Sequence, residues 1–253
     1  MVLALVVACK SDDGPRFRAA GSTTPRAGGT LHIALSSKII SLDPLIGSND
    51  EQTSNVVHPL FDTLVDFAPD SLQVKPRLAR SWDISADGLV YTFQLRDGIA
   101  YEDGRPIVAG DFKYALERTL QKSEAAGRGD LVDVVGADSV TAATGCAGIS
   151  APDDRTLVIK LAKRNAAFIY VMTMSFTSPE RRDYVAAIGD QIRQRPLASG
   201  PYRLESWDEG QRIVLVHNPH YYDHERGRIE RIEVLEDIKR DTQFLMFKRG
   251  ELD

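Results

Sequence analysis

Few features of this 253-residue sequence announce a chemistry, and each scarcity narrows the function. Cysteine occurs only at Cys9 and Cys146, so any internal disulfide could join only those two. No apolar run is long enough to span a bilayer. No basic stripe is interleaved with aromatic residues, and the formal net charge of -5 argues against a nucleic-acid partner. Gly127-Arg128-Gly129 lacks the third glycine and the flanking strand and helix of a dinucleotide fingerprint. No G-x-S-x-G elbow occurs, and Ser199-Gly200-Pro201 opens a strand rather than a helix. Asp43, Asp62, Asp87 and Asp103 sit at turns or helix ends, where local hydrogen bonding accounts for them. The expectation is a protein without catalytic residues and without a cofactor.

What is present is ordinary for a globular chain: 43% hydrophobic and 26% charged residues. The N-terminus departs from that. Met1 to Ala8 is apolar and stops at Cys9, and Val6-Val7-Ala8-Cys9 resembles the lipobox at which bacterial lipoproteins are cleaved and acylated. The missing basic n-region fits a chance cysteine instead. The aperiodic stretch Lys10 to Gly29, rich in Gly, Pro, Ser, Thr and Arg, reads as a tether and favours a truncated lipoprotein signal with lipidation of Cys9. Cys146 is then without an internal partner; a Cys9 to Cys146 bridge is the rival, disfavoured because Cys9 precedes a flexible tether.

Further on, the pattern is that of alternating strands and helices. Thr30 to Leu35 reads as a first strand, and Leu42-Asp43-Pro44 as a turn. Val56, Val57, Leu60, Phe61 and Leu64 share one face of a helix over 49–64, with a kink or restart at Pro59. Trp82 and Ile84 alternate on one side of Asp87-Gly88, and Tyr91, Phe93 and Leu95 on the other, which predicts a β-hairpin. The period then becomes helical, with Phe112, Ala115, Leu116 and Leu120 on one stripe and Asp111 near the positive end of the helix dipole. Residues 124–150 read as helix fragments and loops, and Thr156 to Leu161 as a strand. A helix is expected over Asn165 to Met174, with Phe168, Ile169, Val171 and Met172 buried, and another from Glu180 to Ile188. A second hairpin turns at Asp208-Glu209-Gly210, with Tyr202, Leu204 and Ser206 on one face and Ile213, Leu215 and His217 on the returning strand. A strand over Arg228 to Leu235 and a helix over Asp241 to Lys248 close the chain.

The histidines His217, His220 and His224 have an H-x2-H-x3-H spacing beside Asp223 and Glu225. A metal site needs converging ligands, whereas the Asn218-Pro219 turn scatters these rings, so no metal is expected.

Pro76, Leu78, Ala79, Ser81, Trp82, the Asp87-Gly88 turn, Tyr91 to Arg96, Asp103 to Pro106 and Leu116-Glu117-Arg118 follow one another in an order that closely resembles the signature of the family 5 extracellular solute-binding proteins, the dipeptide and oligopeptide receptors of ABC importers. Leu42-Asp43-Pro44, the Ser199 to Tyr202 strand, Trp207 with Gly210, Asn218-Pro219 and the closing Gly250-Glu251-Leu252-Asp253 extend the resemblance. Ala198 and Ser199 stand where that family often has Gly and Thr.

The resemblance implies a mixed α/β fold of the periplasmic-binding-protein type II (Venus-flytrap) kind. It implies a first lobe from residues 29–48 and 162–253, a small peripheral domain from 49–161, a tether over 1–28, and a second lobe that this sequence does not contain. It implies no enzymatic activity. The expected partners are a peptide or peptide-like ligand, the permease subunits of an ABC transporter, and a membrane held through a lipid anchor, in the periplasm or at the cell surface. A nickel chelate or another small solute, or a ligand-sensing module on the same fold, are the alternatives. Carried over residue by residue, the ligand-facing positions are Ser37, Lys38 and Ile39, then Thr177 and Ser178, then Ser199, Gly200 and Tyr202. Extended backbone there could pair with a peptide main chain.

Overall fold

A computed structural model describes residues 27–47, 50–125 and 127–253. Cys9, its lipobox-like context and nearly all of the tether lie outside the described residues. The first strand, β1 (Thr30–Ala34), leads through a loop to a single helical turn, α1 (Pro44–Gly47), whose start is capped by the Asp43 carboxylate accepting from the Leu45 N–H at 3.0 Å. In α2 (Glu51–Leu60), Asp50 is the cap and accepts from the N–H groups of Gln52 and Thr53, both at 3.1 Å. The helix is shorter than expected. Pro59 has no N–H to give to the preceding turn, and the chain leaves helical geometry two residues later at Phe61.

A two-stranded ribbon, β2 (Val65–Phe67) with β3 (Val74–Pro76), precedes the hairpin of β4 (Ala79–Ile84) and β5 (Val90–Leu95). Its register pairs Trp82 with Phe93 and Ile84 with Tyr91, and Gly88 takes φ +72° in the turn, a left-handed conformation that suits glycine. Tyr91, Phe93 and Leu95 are buried as the alternation predicts; Ile84, near the end of an edge strand, stays 41% exposed. Across the sheet runs α3 (Ala109–Gln121), whose Phe112, Ala115, Leu116 and Leu120 all reach the core. The Asp111 carboxylate accepts from the Val108 N–H at 3.1 Å and so ties down the first turn. After two short 3-10 turns, β6 (Ile149–Ser150) and β7 (Thr156–Lys160) complete a sheet ordered β4-β5-β7-β6.

The helix expected over Asn165 to Met174 contracts to one turn, α4 (Phe168–Val171). Phe168 and Met172 are buried, while Ile169 and Val171 are only half-buried. Then come α5 (Arg182–Ile188), which buries no residue, a 3-10 helix over Gly189–Arg193, and the second hairpin, β8 (Tyr202–Asp208) with β9 (Arg212–His217). Next is β10 (Arg231–Leu235), and last α6 (Arg240–Arg249), which ends on Gly250 at φ +73°. These strands form a sheet ordered β1-β10-β9-β8, parallel between β1 and β10 and antiparallel elsewhere. Near the end of the chain, the Asp253 N–H donates to the His32 carbonyl on β1 at 3.0 Å.

Each four-stranded sheet has its own apolar cluster. Val56, Val57 and Leu60 place α2 on the β1-β10-β9-β8 sheet, although α2 falls within 49–161; Phe168, Met172 and Phe176 pack with the other sheet, although they fall within 162–253. The fold is mixed α/β, as the sequence led us to expect.

Charged and polar pairs join the two bodies. Arg118 of α3 reaches Asp43 and Glu180, Arg77 lies 2.9 Å from Asp62, and the Tyr221 hydroxyl donates to Asp62 at 2.8 Å. Burial pushes the Glu180 carboxyl up to about 8 and that of Asp111 up to about 6. Among the described residues no helix is long and apolar enough to cross a membrane. Cys146 is a buried free thiol, and burial raises its pKa.

Candidate functional site

Where β1 ends, the loop that follows is held by its neighbours rather than left open. The N–H groups of Ser36 and Ser37 both donate to the Gln52 side-chain oxygen, at 2.7 and 3.3 Å, and the Gln52 amide donates to the Ser36 hydroxyl at 2.7 Å. Lys38 and Ile40 then project outward, Ile40 74% exposed, while Ile39 turns into the core at 4%. Opposite this loop stands the turn between β8 and β9.

A bulge decides what that turn presents. The β8–β9 register slips between Leu204, paired with Leu215, and Ser206, paired with Val214, so Trp207 falls opposite Ile213. The extra residue, Glu205, reverses the alternation. The expected face of Tyr202, Leu204 and Ser206 is therefore corrected: Trp207 takes the inward place instead of Ser206, and packs with Tyr202 and Leu204 on the cluster of this sheet. Gly210 closes the turn at φ +70°.

Glu236 joins the two sides. It follows Ile232 and Val234 on the buried parity of β10, and only 2% of its surface is exposed. Its carboxylate accepts from the Ile39 N–H at 2.5 Å, from the Trp207 indole N–H at 2.9 Å and from the Gly210 N–H at 2.9 Å. Three donors on one desolvated anion replace the water it has lost. The next residue, Asp237, turns at φ 58° and sends its N–H to the Ser37 carbonyl at 3.4 Å.

Between these walls and the 3-10 helix over Gly189–Arg193 lies a cavity of about 660 Å³. Lys38 and Arg193 bring positive charge to it, Asp190 and Glu209 negative charge, Gln191 and Gln194 amides, and Ile39, Ile40 and Trp207 apolar surface. Gln194 also donates to Glu209, which links the 3-10 helix to the hairpin turn. Charges of both signs around an indole and two isoleucines form a surface that can take a zwitterion carrying an apolar side chain.

Of the positions expected to face a ligand, Lys38 and Ile39 line this cavity and Ser37 belongs to the pinned loop behind it. The other five lie outside its lining. Thr177 and Ser178 are buried beside α1; the Thr177 hydroxyl donates to the Met174 carbonyl at 2.8 Å, and the Ser178 hydroxyl has no partner among the described residues. The N–H groups of Ser199 and Gly200 both donate to the Leu60 carbonyl, at 3.1 and 2.8 Å, and the Ser199 hydroxyl accepts from the Asp62 N–H at 3.2 Å. Tyr202 is 7% exposed and paired with His217 in the sheet. Backbone that looks extended in the sequence is here already engaged.

Sequence reasoning misses Glu236 and the 189–194 segment, and reads Trp207 and Glu209 only as motif and turn residues, not as walls of a cavity. The one available signal is the parity of Glu236 with Ile232 and Val234. His220 lies over Gly104, whereas His217 and His224 line a different cavity, and no metal-sized group of His, Cys, Asp and Glu gathers among the described residues.

Comparison with known proteins agrees with this architecture. A sequence profile described as bacterial extracellular solute-binding proteins, family 5, middle region, matches residues 73–253. The probable D,D-dipeptide-binding periplasmic protein DdpA of Escherichia coli is 30% identical over 84% of this chain and 40% of its own length. The oligopeptide-binding protein OppA of Bacillus subtilis is 24% identical over 100% of this chain and 47% of its own. Among solved structures, the periplasmic binding protein DppA from Helicobacter pylori, in complex with the peptide STSA, superposes with a TM-score of 0.77 at 27% identity, covering 90% of this chain and 46% of that one. A periplasmic oligopeptide-binding protein from Borrelia burgdorferi gives a TM-score of 0.80 at 27% identity, over 88% and 46%. The chain spans about half the length of the relatives it matches. With the profile covering well over half of its residues, the protein belongs to the bacterial extracellular solute-binding proteins of family 5.

Proposed function

We propose that the full-length protein captures a peptide or peptide-like solute outside the cytoplasmic membrane and delivers it to the permease of an ABC transporter, without chemical change to the solute. The observation that carries this reading is the cavity beside the loop after β1. There Lys38 and Arg193 suit a carboxylate, Asp190 and Glu209 suit an ammonium group, and Trp207 with Ile40 suits a side chain between them. Family membership and the peptide-binding names of the relatives support the same reading.

Binding between two lobes draws such a receptor closed, and the closed form is what a permease distinguishes. The lobe described here supplies one wall. Ser37, Thr177, Ser178, Ser199, Gly200 and Tyr202 enter as ligand neighbours on the strength of the family resemblance alone. Acylation at Cys9 would hold the protein at the membrane through its tether. A nickel chelate is less well supported, because His220 lies over Gly104, apart from the cavity that His217 and His224 line.

Calorimetric titration of the full-length protein with tri-alanine, and with its N-acetylated and C-amidated forms, tests the reading. Saturable binding that weakens when either terminus is blocked is expected; no binding of di-, tri- or tetrapeptides overturns it. Metabolic labelling with a radioactive fatty acid, lost in Cys9→Ser, tests the anchor.

A further inference from the structure

We infer that Glu236 is the positioning residue of the cavity beside Lys38: it touches no ligand, yet holds the surfaces that would. All three of its donors sit on residues that line that cavity, namely Ile39, Trp207 and Gly210. They come from three places in the chain, the loop after β1, the end of β8 and the β8–β9 turn. Nothing else in the described residues bonds to more than one of them. Glu236 is buried, no cation among the described residues forms an ion pair with it, and its carboxylate accepts from these three N–H groups.

The geometry around it fits a device for setting a surface rather than a core contact. The Glu205 bulge is what turns the Trp207 indole toward the carboxylate. Asp237, directly after Glu236, holds a left-handed φ of 58° that an aspartate tolerates better than most residues, and its N–H and that of Ile238 fasten the same turn to Ser37 and Leu35. Gly210 takes φ +70°, and a Cβ there would lie 3.1 Å from the Lys38 side chain, so the turn and the lysine stand face to face across the mouth. One anion thus fixes the spacing between the aromatic wall and the loop that carries Lys38. The role as a ligand-positioning group rests on the peptide-capture reading above; the role as the common anchor does not.

Glu236→Gln keeps the shape, removes the charge that all three N–H groups share, and puts an amide either where Ile39 now meets Oε1 or where Trp207 and Gly210 now meet Oε2. Trp82→Phe in the same chain leaves Trp207 as the only tryptophan. Without any ligand, Glu236→Gln is expected to speed amide exchange at Ile39 and Gly210 by about tenfold or more and to raise acrylamide quenching of Trp207, while exchange at Phe93, in the other cluster, stays as it was. Unchanged exchange at Ile39 and Gly210, or equal acceleration at Phe93, overturns the inference. Should Glu236→Gln not fold cooperatively, Glu236→Asp keeps the charge and withdraws it by one methylene; it must show the same selectivity at smaller amplitude, and a folded Glu236→Asp with unaltered exchange at those two amides overturns the inference equally. In the full-length protein, tri-alanine is then expected to bind the Gln variant about tenfold more weakly. If the parent binds none of the di-, tri- and tetrapeptides, the peptide-capture reading fails while the exchange data still decide the anchor.

Discussion

Both terminal nitrogens of Arg118 close on the two oxygens of Asp43, at 3.0 and 2.6 Å, and one of them also reaches Glu180 at 2.7 Å. Asp43 is 1% and Glu180 6% exposed, so one guanidinium from α3 holds two carboxylates from elsewhere in the chain away from water. A fork-shaped cation is suited to this task, since a lysine offers only a point charge.

Removing that cation leaves buried charge uncompensated. Arg118→Met is expected to lower stability by about 3–5 kcal/mol, as removal of one partner from a buried pair does. Arg118→Lys should recover only part of the loss. Urea denaturation of the three proteins at neutral pH measures it; a loss under about 1 kcal/mol would show the pair to be incidental.

Glu180 makes stability depend on pH in a defined direction. Burial raises its folded-state pKa from 4.5 to about 8, so between those values the native state holds a proton that the unfolded chain has released. Its contribution is therefore complete below pH 4.5, declines as pH rises toward about 8 and is then flat. Glu180→Gln should remove that part of the slope. Thermal midpoints of both proteins from pH 5 to 9 test this; parallel curves would show that Glu180 ionises normally in the fold.

Gly200 separates a structural glycine from a ligand contact. A Cβ there would lie 2.7 Å from the Pro59 carbonyl oxygen and 2.9 Å from the Phe61 nitrogen, both main-chain atoms with little room to yield. Gly200→Ala is expected to destabilise by about 1–3 kcal/mol. A midpoint equal to that of the parent would mean that β8 and the end of α2 can move apart freely.

Cys146, 4% exposed and with its thiol pKa raised by burial, should react with a thiol reagent only when the structure opens. The rate of modification is expected to climb with urea along the unfolding transition. Fast labelling in the native state would contradict its burial.

Much of the fold is legible because it is periodic. The hairpin about Asp87-Gly88, the stripe of Phe112, Ala115, Leu116 and Leu120, and the strand of β7 each repeat a local rule that the tertiary structure then uses. Where local and long-range demands differ, the long-range ones prevail. Asn165 to Met174 has a helical pattern, yet only one turn forms, with Phe168 and Met172, four residues apart, both in the β4-β5-β7-β6 cluster. The candidate site is less legible still. Lys38 and Ile39 follow a recognisable strand, but a single bulged residue, Glu205, decides whether Trp207 or Ser206 faces inward.

The sequence by itself determined the family, the mixed α/β class and most elements, since spacing, turn glycines and apolar periods act over a few residues. Only the tertiary structure decided which groups meet. Ile39, the hairpin turn that carries Trp207 and Gly210, and Glu236 are apart along the chain and are joined by one buried carboxylate that must find donors once it has lost water. Arg118, Asp43 and Glu180 meet for the same reason, because buried charge has to be paired wherever its partners lie in sequence.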